Sequence, residues 1–329
     1  MRGRVLIFAA ALAVLLGAGC TASAAPTPEP VEVTVQLNWL HYATFGGLYA
    51  ADQNGLYAGE GLTVQFVEGG TDVDYVAAVL RGDADFGVAG ADELLEARAA
   101  GQPVRAIATI LQRSPIVFVA PADSGITHPT DLVGKTVRVT PQIDTTLHAM
   151  LSNLDIPEDS YSELVLPSTL DAYSSGQADV WGVYYNSFAV TLREAGYELN
   201  TIFPDDYGVH FYADMLFTTD EFIAEHPDLV TRFLRATLEG YAFAIEQPDA
   251  IGPLVVQYDP DADAALESAK MAASVPLIHS GSAHIGWMEP RRWEAMRDKL
   301  VELGFLAESV PVDDVYTMTF LRQIYGDSP

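Results

Sequence analysis

Seven aromatic residues fall where the chain leaves an expected strand or returns to one: Trp39, Tyr42, Trp181, Tyr184, Tyr185, Tyr207 and Tyr212. Such rings could close on the two faces of a flat heterocycle, each aromatic pair adding about 0.5–1.5 kcal/mol beyond area burial. Groups able to read the edge of that ring stand in the same loops. Asn38 and Asn186 offer amides, Asp92 and Glu93 carboxylates, and Thr71 and Asp72 follow Gly69 and Gly70. His41, residues 141–146, His210 and Asp214 complete the set. Each has a structural alternative. The aromatics suit lobe cores or crossing segments equally, and Asn38 and Asp92 are good helix N-caps. Arg113 and Arg138 are the cations nearest these loops, and both read as surface or strand-end residues rather than as an anion site.

Catalytic spacing is missing. No GxSxG, HExxH or GxxxxGK[ST] pattern occurs, and the seven histidines include no i, i+4 pair on an expected helix. Paired acids such as Asp205-Asp206 and Asp313-Asp314 sit in turn-like contexts. No catalytic residue, metal site or cofactor is expected.

The elements that must hold these loops follow from periodicity. Apolar residues alternate over 31–37, and 62–67 forms a second strand after Asn54-Gly55 ends a helix. Helix 72–81, strand 83–89, helix 92–100 and strand 104–110 follow. After an outgoing strand at 116–120 the grammar restarts: strand 136–140, helix 145–154, strand 164–166, short helix 170–174 and strand 180–183. Residues 212–218 return, and helices at 220–225, 228–246, 262–273 and 291–303 close the chain. Alternation at these lengths means βαβ units and largely parallel sheets. The expectation is an α/β protein of two lobes, residues 31–115 plus 214–329 and residues 116–213, with a ligand cleft between them. Ligands in such sheets lie beyond the carboxyl ends of the strands, which selects the loops named above.

The N-terminal segment sets the compartment. Arg2 and Arg4 precede an apolar run over 5–16, then Gly17-Ala18-Gly19 and Cys20, the only cysteine. Residues 1–19 read as a secretory signal, too short in its apolar run to span a bilayer. Cys20 then becomes a lipidated N-terminus, although Gly17 stands where a bacterial lipobox prefers leucine; an ordinary signal cleaved near Ala24 or Ala25 is the alternative. The proline-alternating residues 20–30 suit an extended tether. A net charge of −28 with only three lysines excludes nucleic acid as a partner. The expected product is a monomer lipid-anchored at the extracytoplasmic membrane face.

Several segments resemble one family. VTVQLNW at 33–39, GLYAGEGL at 55–62, GDADFG at 82–87, DLVGK at 131–135, FTTDEFIAEHP at 217–227 and GWMEPRRW at 286–293 are similar to the thiamine-pyrimidine-precursor binding proteins. Those share the periodic architecture called the periplasmic-binding-protein type 2 fold with sulfonate, nitrate and riboflavin binders. The resemblance implies a solute-binding protein that closes on its ligand and delivers it to an ABC permease driven by an ATPase. In pyrimidine-precursor binders and the related fungal pyrimidine synthases, an acidic residue lies two after the glycine matching Gly182; here Tyr184 stands there. The fungal cysteine-rich motif is absent, and the reactive-histidine position holds Glu93. The resemblance therefore implies binding rather than synthesis, with riboflavin slightly preferred to an aminopyrimidine and an anion least favoured.

Overall fold

The computed structural model describes residues 30–279, 281, 284–307 and 309–328. The expected signal, Cys20 and nearly all of the tether lie outside the described residues. No described helix is long and apolar enough to cross a membrane.

Two five-stranded sheets carry the chain. The first uses β1 (Val31–Gln36), β2 (Leu62–Val67), β3 (Phe86–Ala89), β4 (Val104–Leu111) and β10 (Ala213–Thr219) in the order β2-β1-β3-β10-β4. The second uses β5 (Ile116–Pro121), β6 (Thr136–Val139), β7 (Ser162–Val165), β8 (Val180–Tyr184) and β9 (Leu199–Ile202) in the order β7-β6-β8-β5-β9. The orders are equivalent. In each sheet three consecutive strands pair in parallel as second-first-third, and one strand arriving from the other sheet runs antiparallel beside the third. Two peptide segments, 112–115 and 203–212, connect the sheets.

The helices follow from the same patterning. Beside the first sheet lie α1 (Gly46–Gln53), α2 (Leu56–Gly59), α3 (Tyr75–Leu80) and α4 (Ala91–Ala99). With the second sheet come α5 (Pro141–Ser152), α6 (Leu170–Ser174) and α7 (Phe188–Glu194). The C-terminal part adds α8 (Asp220–Glu225), α9 (Pro227–Glu246), α10 (Ile251–Val255), α11 (Ala264–Ile278), α12 (Pro290–Glu302), α13 (Val312–Val315) and α14 (Thr319–Tyr325). The longest, α9, buries Val230, Phe233, Leu234, Thr237, Tyr241 and Ala244 at helical spacing along α1.

Three differences from the sequence reading have physical causes. Strand β9 was not expected, because Leu199-Asn-Thr-Ile is a short edge strand only half-buried, with no alternating signal. The helix expected from 145 starts at Pro141, whose missing N–H costs nothing at a first helical position. Residues 141–146 are thus helical turns rather than a cleft loop, with Ile143 and Thr146 buried. The helix expected over 262–273 runs to Ile278 and passes through Pro276.

Candidate functional site

One cluster of polar side chains gathers at strand ends and helix starts of the first sheet. Asn38 follows β1, Asp92 and Glu93 occupy the first turn of α4 after β3, and Asp214 begins β10. Gly69 lets these loops approach, since a Cβ there would stand 2.3 Å from the Leu37 carbonyl oxygen and 2.4 Å from the Asn38 carbonyl carbon. Asn38 Nδ2 donates to Asp214 Oδ1 at 3.1 Å. Asp214 is buried and holds φ +49°, a left-handed conformation that costs an aspartate of order 1 kcal/mol or more. That strain is retained where the carboxyl points inward, and its Oδ2 has no hydrogen-bond partner.

Glu93 is more fully engaged. Its Oε2 accepts the Gly90 N–H at 2.6 Å, a capping contact, and its Oε1 accepts the Tyr75 hydroxyl. Asp92 is held instead by backbone N–H groups, that of Glu93 and its own. The start of α4 favours an anion, yet burial first and the Glu93 charge second push Asp92 up to about 7. Burial likewise raises Asp214 to about 6, against the lowering effect of the Asn38 hydrogen bond. Removing water from carboxyls destabilises their charged form, so a partner that donates hydrogen bonds restores what burial took away.

Two tyrosines from opposite sheets face this cluster. Tyr42 packs edge-on against Phe45 with ring centroids 4.8 Å apart, and burial followed by the Asp214 charge raises its hydroxyl far above the usual range. Tyr184, at the end of β8, is raised by burial and then by Asp214, Asp92 and Glu93, with Arg138 opposing. Gly182 makes room beneath it: a Cβ there would meet Ile143 Cγ2 at 2.3 Å and the Arg138 carbonyl oxygen at 2.9 Å.

Helix α11 fixes both tyrosine loops. Its buried Glu267 accepts the Ala43 N–H at 2.8 Å, holding the segment next to Tyr42, while Lys270 Nζ balances that carboxylate at 2.6 Å. Its Ser274 hydroxyl accepts from Asn186 Nδ2 at 2.9 Å, and the same Nδ2 donates to Thr44 Oγ1 at 3.0 Å. Thr44 and Asn186 thereby join the two halves of the cleft.

The structure thus brings Asn38, Tyr42, Asp92, Glu93 and Tyr184 together. It does not gather the remaining expected residues. Trp181 is on the opposite face of β8 from Tyr184, 1% exposed among Tyr173, Phe188 and Leu192. Tyr185 lies past the strand, its ring 5.1 Å from Phe203 and beneath the Arg193 guanidinium. Tyr207 meets His128 edge-on at 5.0 Å, and Tyr212 is buried between Arg292 and Trp293 with its hydroxyl accepting from Glu289 N. These four serve packing because strand alternation and the crossing segment turn them away. Asn186 is a clamp rather than an edge reader, since its amide nitrogen is committed to Thr44 and Ser274. Thr71 is exposed, and Trp39 is 46% exposed at the rim. His41 joins a satellite of aromatics with Tyr49 and Tyr258.

Sequence reasoning missed Tyr75 and misplaced Arg138. Tyr75 opens α3 directly after its N-cap Asp74, a position the helix pattern alone assigns no role. Arg138 is 3% exposed, donating to the carbonyl oxygens of Leu166 and Gly182 and to Ser168 Oγ. Arg113 is held by Asp205 and Asp206 at 3.1 and 2.6 Å. Both cations are already engaged.

Comparison with known proteins agrees with this architecture. The riboflavin-binding protein RibY of Chloroflexus aurantiacus is 26% identical over 320 residues, spanning 92% of this chain and 90% of that protein. A formylaminopyrimidine-binding protein of Halalkalibacterium halodurans is 28% identical over 321 residues, 93% of this chain and 96% of its own. A 4-amino-5-hydroxymethyl-2-methylpyrimidine phosphate synthase of Legionella pneumophila is 26% identical over 295 residues, 88% and 92% respectively. The solved periplasmic aliphatic sulphonate binding protein SsuA of Escherichia coli superposes with TM-score 0.69 at 16% identity, covering 88% of this chain and 92% of that one. It establishes the two-lobed periplasmic-binding-protein type 2 fold. The family described as NMT1/THI5 like matches residues 43–251, from the Tyr42 loop through both sheets to α10, and this chain belongs to it.

Proposed function

We propose that this protein is the solute-binding component of an ABC importer, capturing a neutral, flat nitrogen heterocycle that presents hydrogen-bond donors. The observation that carries the reading is the pairing of under-solvated carboxyls, Asp92 and Asp214, with Tyr42 and Tyr184. Ring N–H, amino or hydroxyl groups would satisfy the carboxyls, and the tyrosines would pack on the ring. An anion would meet three carboxyl groups, and the two cations considered for it, Arg113 and Arg138, are already engaged, so a sulfonate fits poorly.

Riboflavin is the first candidate, since its ring and polyhydroxyl chain offer both surfaces, and a relative carries that name. An aminopyrimidine is the second. Its case rests on Asp92 and Asp214, which supply the acidic function that Tyr184 does not. Binding rather than catalysis is supported by the relatives, two of which are named as binding proteins. Closure follows because a ligand touching both walls binds the closed form better and shifts the population toward it. The remaining parts of the proposal are a lipid anchor on Cys20, residence at the extracytoplasmic membrane face, a monomeric state, and lobes of residues 31–115 plus 214–329 and 116–213.

The test is a calorimetric titration of the purified protein with riboflavin, a formylaminopyrimidine and an alkanesulfonate. Saturable heat with either heterocycle and none with the sulfonate is expected. Sulfonate binding, with neither heterocycle retained, would overturn the assignment.

A further inference from the structure

A second group of side chains, on α5 and the edge strand β7, has no part in the cleft. Asp144 and His148 are one helical turn apart in α5, so both project from one face toward β7. Glu163 reaches the same point from β7. His148 Nε2 lies 2.9 Å from Glu163 Oε1 and 3.5 Å from Asp144 Oδ1, and the three donor atoms fall within 4.8 Å of one another.

We propose that Asp144, His148 and Glu163 form a binding site for a divalent transition-metal ion of the zinc class. Zinc bonds to imidazole nitrogen and carboxylate oxygen are about 2.0–2.2 Å long, which places the ligand atoms of a tetrahedron about 3.3 Å apart. The two short separations here bracket that edge. One imidazole and two carboxylates form a ligand set zinc accepts, and the partly exposed position of Glu163 leaves the fourth place to water. An independent feature points the same way. Asp144 Oδ1 is shielded from solvent and has no hydrogen-bond partner of its own, standing 3.5 Å from His148 Nε2, while the same side chain is hydrogen-bonded to Glu163. The outer groups are also in place: the Tyr161 hydroxyl donates to Glu163 Oε1 at 3.0 Å, and Phe305 from the C-terminal region lies 6.1 Å from the His148 ring centroid. A hydroxyl orienting a ligating carboxylate is the usual outer support of such sites.

Bound metal would tie α5 to an edge strand that pairs, among the described residues, with β6 alone. Ligation is independent of the heterocycle proposed for the cleft, because among the described residues no cleft side chain is hydrogen-bonded to this triad.

The experiment uses the whole purified protein, stripped with chelator and titrated with Zn2+ by calorimetry, with thermal melts run in parallel. One Zn2+ per chain at micromolar or tighter affinity is expected, with a rise in Tm of several degrees at saturation. Co2+ in its place should give visible ligand-field absorption characteristic of low coordination. Asp144→Asn and His148→Gln should each weaken Zn2+ binding at least ~10-fold while retaining the metal-free Tm to within a few degrees, and His284→Ala should leave binding unchanged. Two results would overturn the proposal: no uptake at millimolar Zn2+, meaning a hydrogen-bonded triad alone, or uptake that persists unchanged in both triad variants.

Discussion

The two sheets share one strand order but place different chemistry at equivalent positions. After the third parallel strand, the first sheet continues Gly90-Ala91-Asp92-Glu93 into α4, whereas the second continues Tyr184-Tyr185-Asn186-Ser187 toward α7. At the antiparallel strand the first sheet begins with Ala213 and the strained Asp214, and the second begins with Ile116. The first sheet therefore supplies acceptors that water has been stripped from, and the second supplies an aromatic cover with its buried cation already spent on carbonyl oxygens. On the proposed reading, the first sheet's loops supply the recognising carboxyls together with Tyr42, and the second sheet's loops supply Tyr184 as the opposing cover.

The largest way to break this contrast is on the core side of the second sheet. Trp181→Ala should lower stability by about 3–5 kcal/mol, because its ring is fully enclosed. Chemical denaturation would measure that loss, while ligand affinity of the folded protein should stay unchanged. A change in affinity would mean that Trp181 reaches the cleft after all. On the acceptor wall, Asp92→Asn should weaken heterocycle binding by about 10- to 100-fold, the worth of a charged hydrogen bond of roughly 1.5–3 kcal/mol. Calorimetry of the variant against the wild type reads it directly. On the covering wall, Tyr184→Ala should cost about 10-fold, and Tyr184→Phe only a few-fold, because the ring face does the packing.

pH sharpens the same comparison. Asp92 and Asp214 hold protons more readily in the folded protein than in the unfolded chain, their folded values being about 7 and about 6 against 3.8. Their contribution to stability is therefore most favourable near pH 4 and falls as pH rises to about 7. Asp92→Asn should stabilise the empty protein at pH 8 by about 1–3 kcal/mol and have little effect at pH 4. Thermal melts across that range would show the two curves converge on acidification. Ligand affinity should move the opposite way, weakening as pH falls through about 7 and then about 6, where Asp92 and Asp214 take up protons. The smallest effect belongs to Thr71→Ala, whose exposed side chain should change neither stability nor affinity measurably.

Much of the scaffold was legible because burial imposes period. Val33, Val35 and Leu37 alternate inward along β1 and beyond it, and α9 repeats its apolar positions every three or four residues. The return of the chain to the first sheet at β10 also follows from its apolar run. What sequence left open was orientation beyond strand ends. Trp181 and Tyr184 are three residues apart and so face opposite sides of β8, a distinction that depends on where the strand ends. Asp214 was visible only as one of several polar residues on a return segment; its positive φ and its bond to Asn38 are products of folding. Placing the start of α5 at 145 instead of 141 left Asp144 outside the helix, and so hid its alignment with His148. Arg138 looked like a strand-end cation because nothing in its neighbours' identities announces three carbonyl and hydroxyl partners.

A crystal structure of the protein saturated with its heterocycle would test the central idea most directly. N–H or O–H donors of the ligand should lie within about 3 Å of Asp92 and Asp214 carboxyl oxygens, with Tyr184 on the ring face. A ligand seated with its acceptor edge toward those carboxyls, or touching neither Tyr42 nor Tyr184, would contradict it.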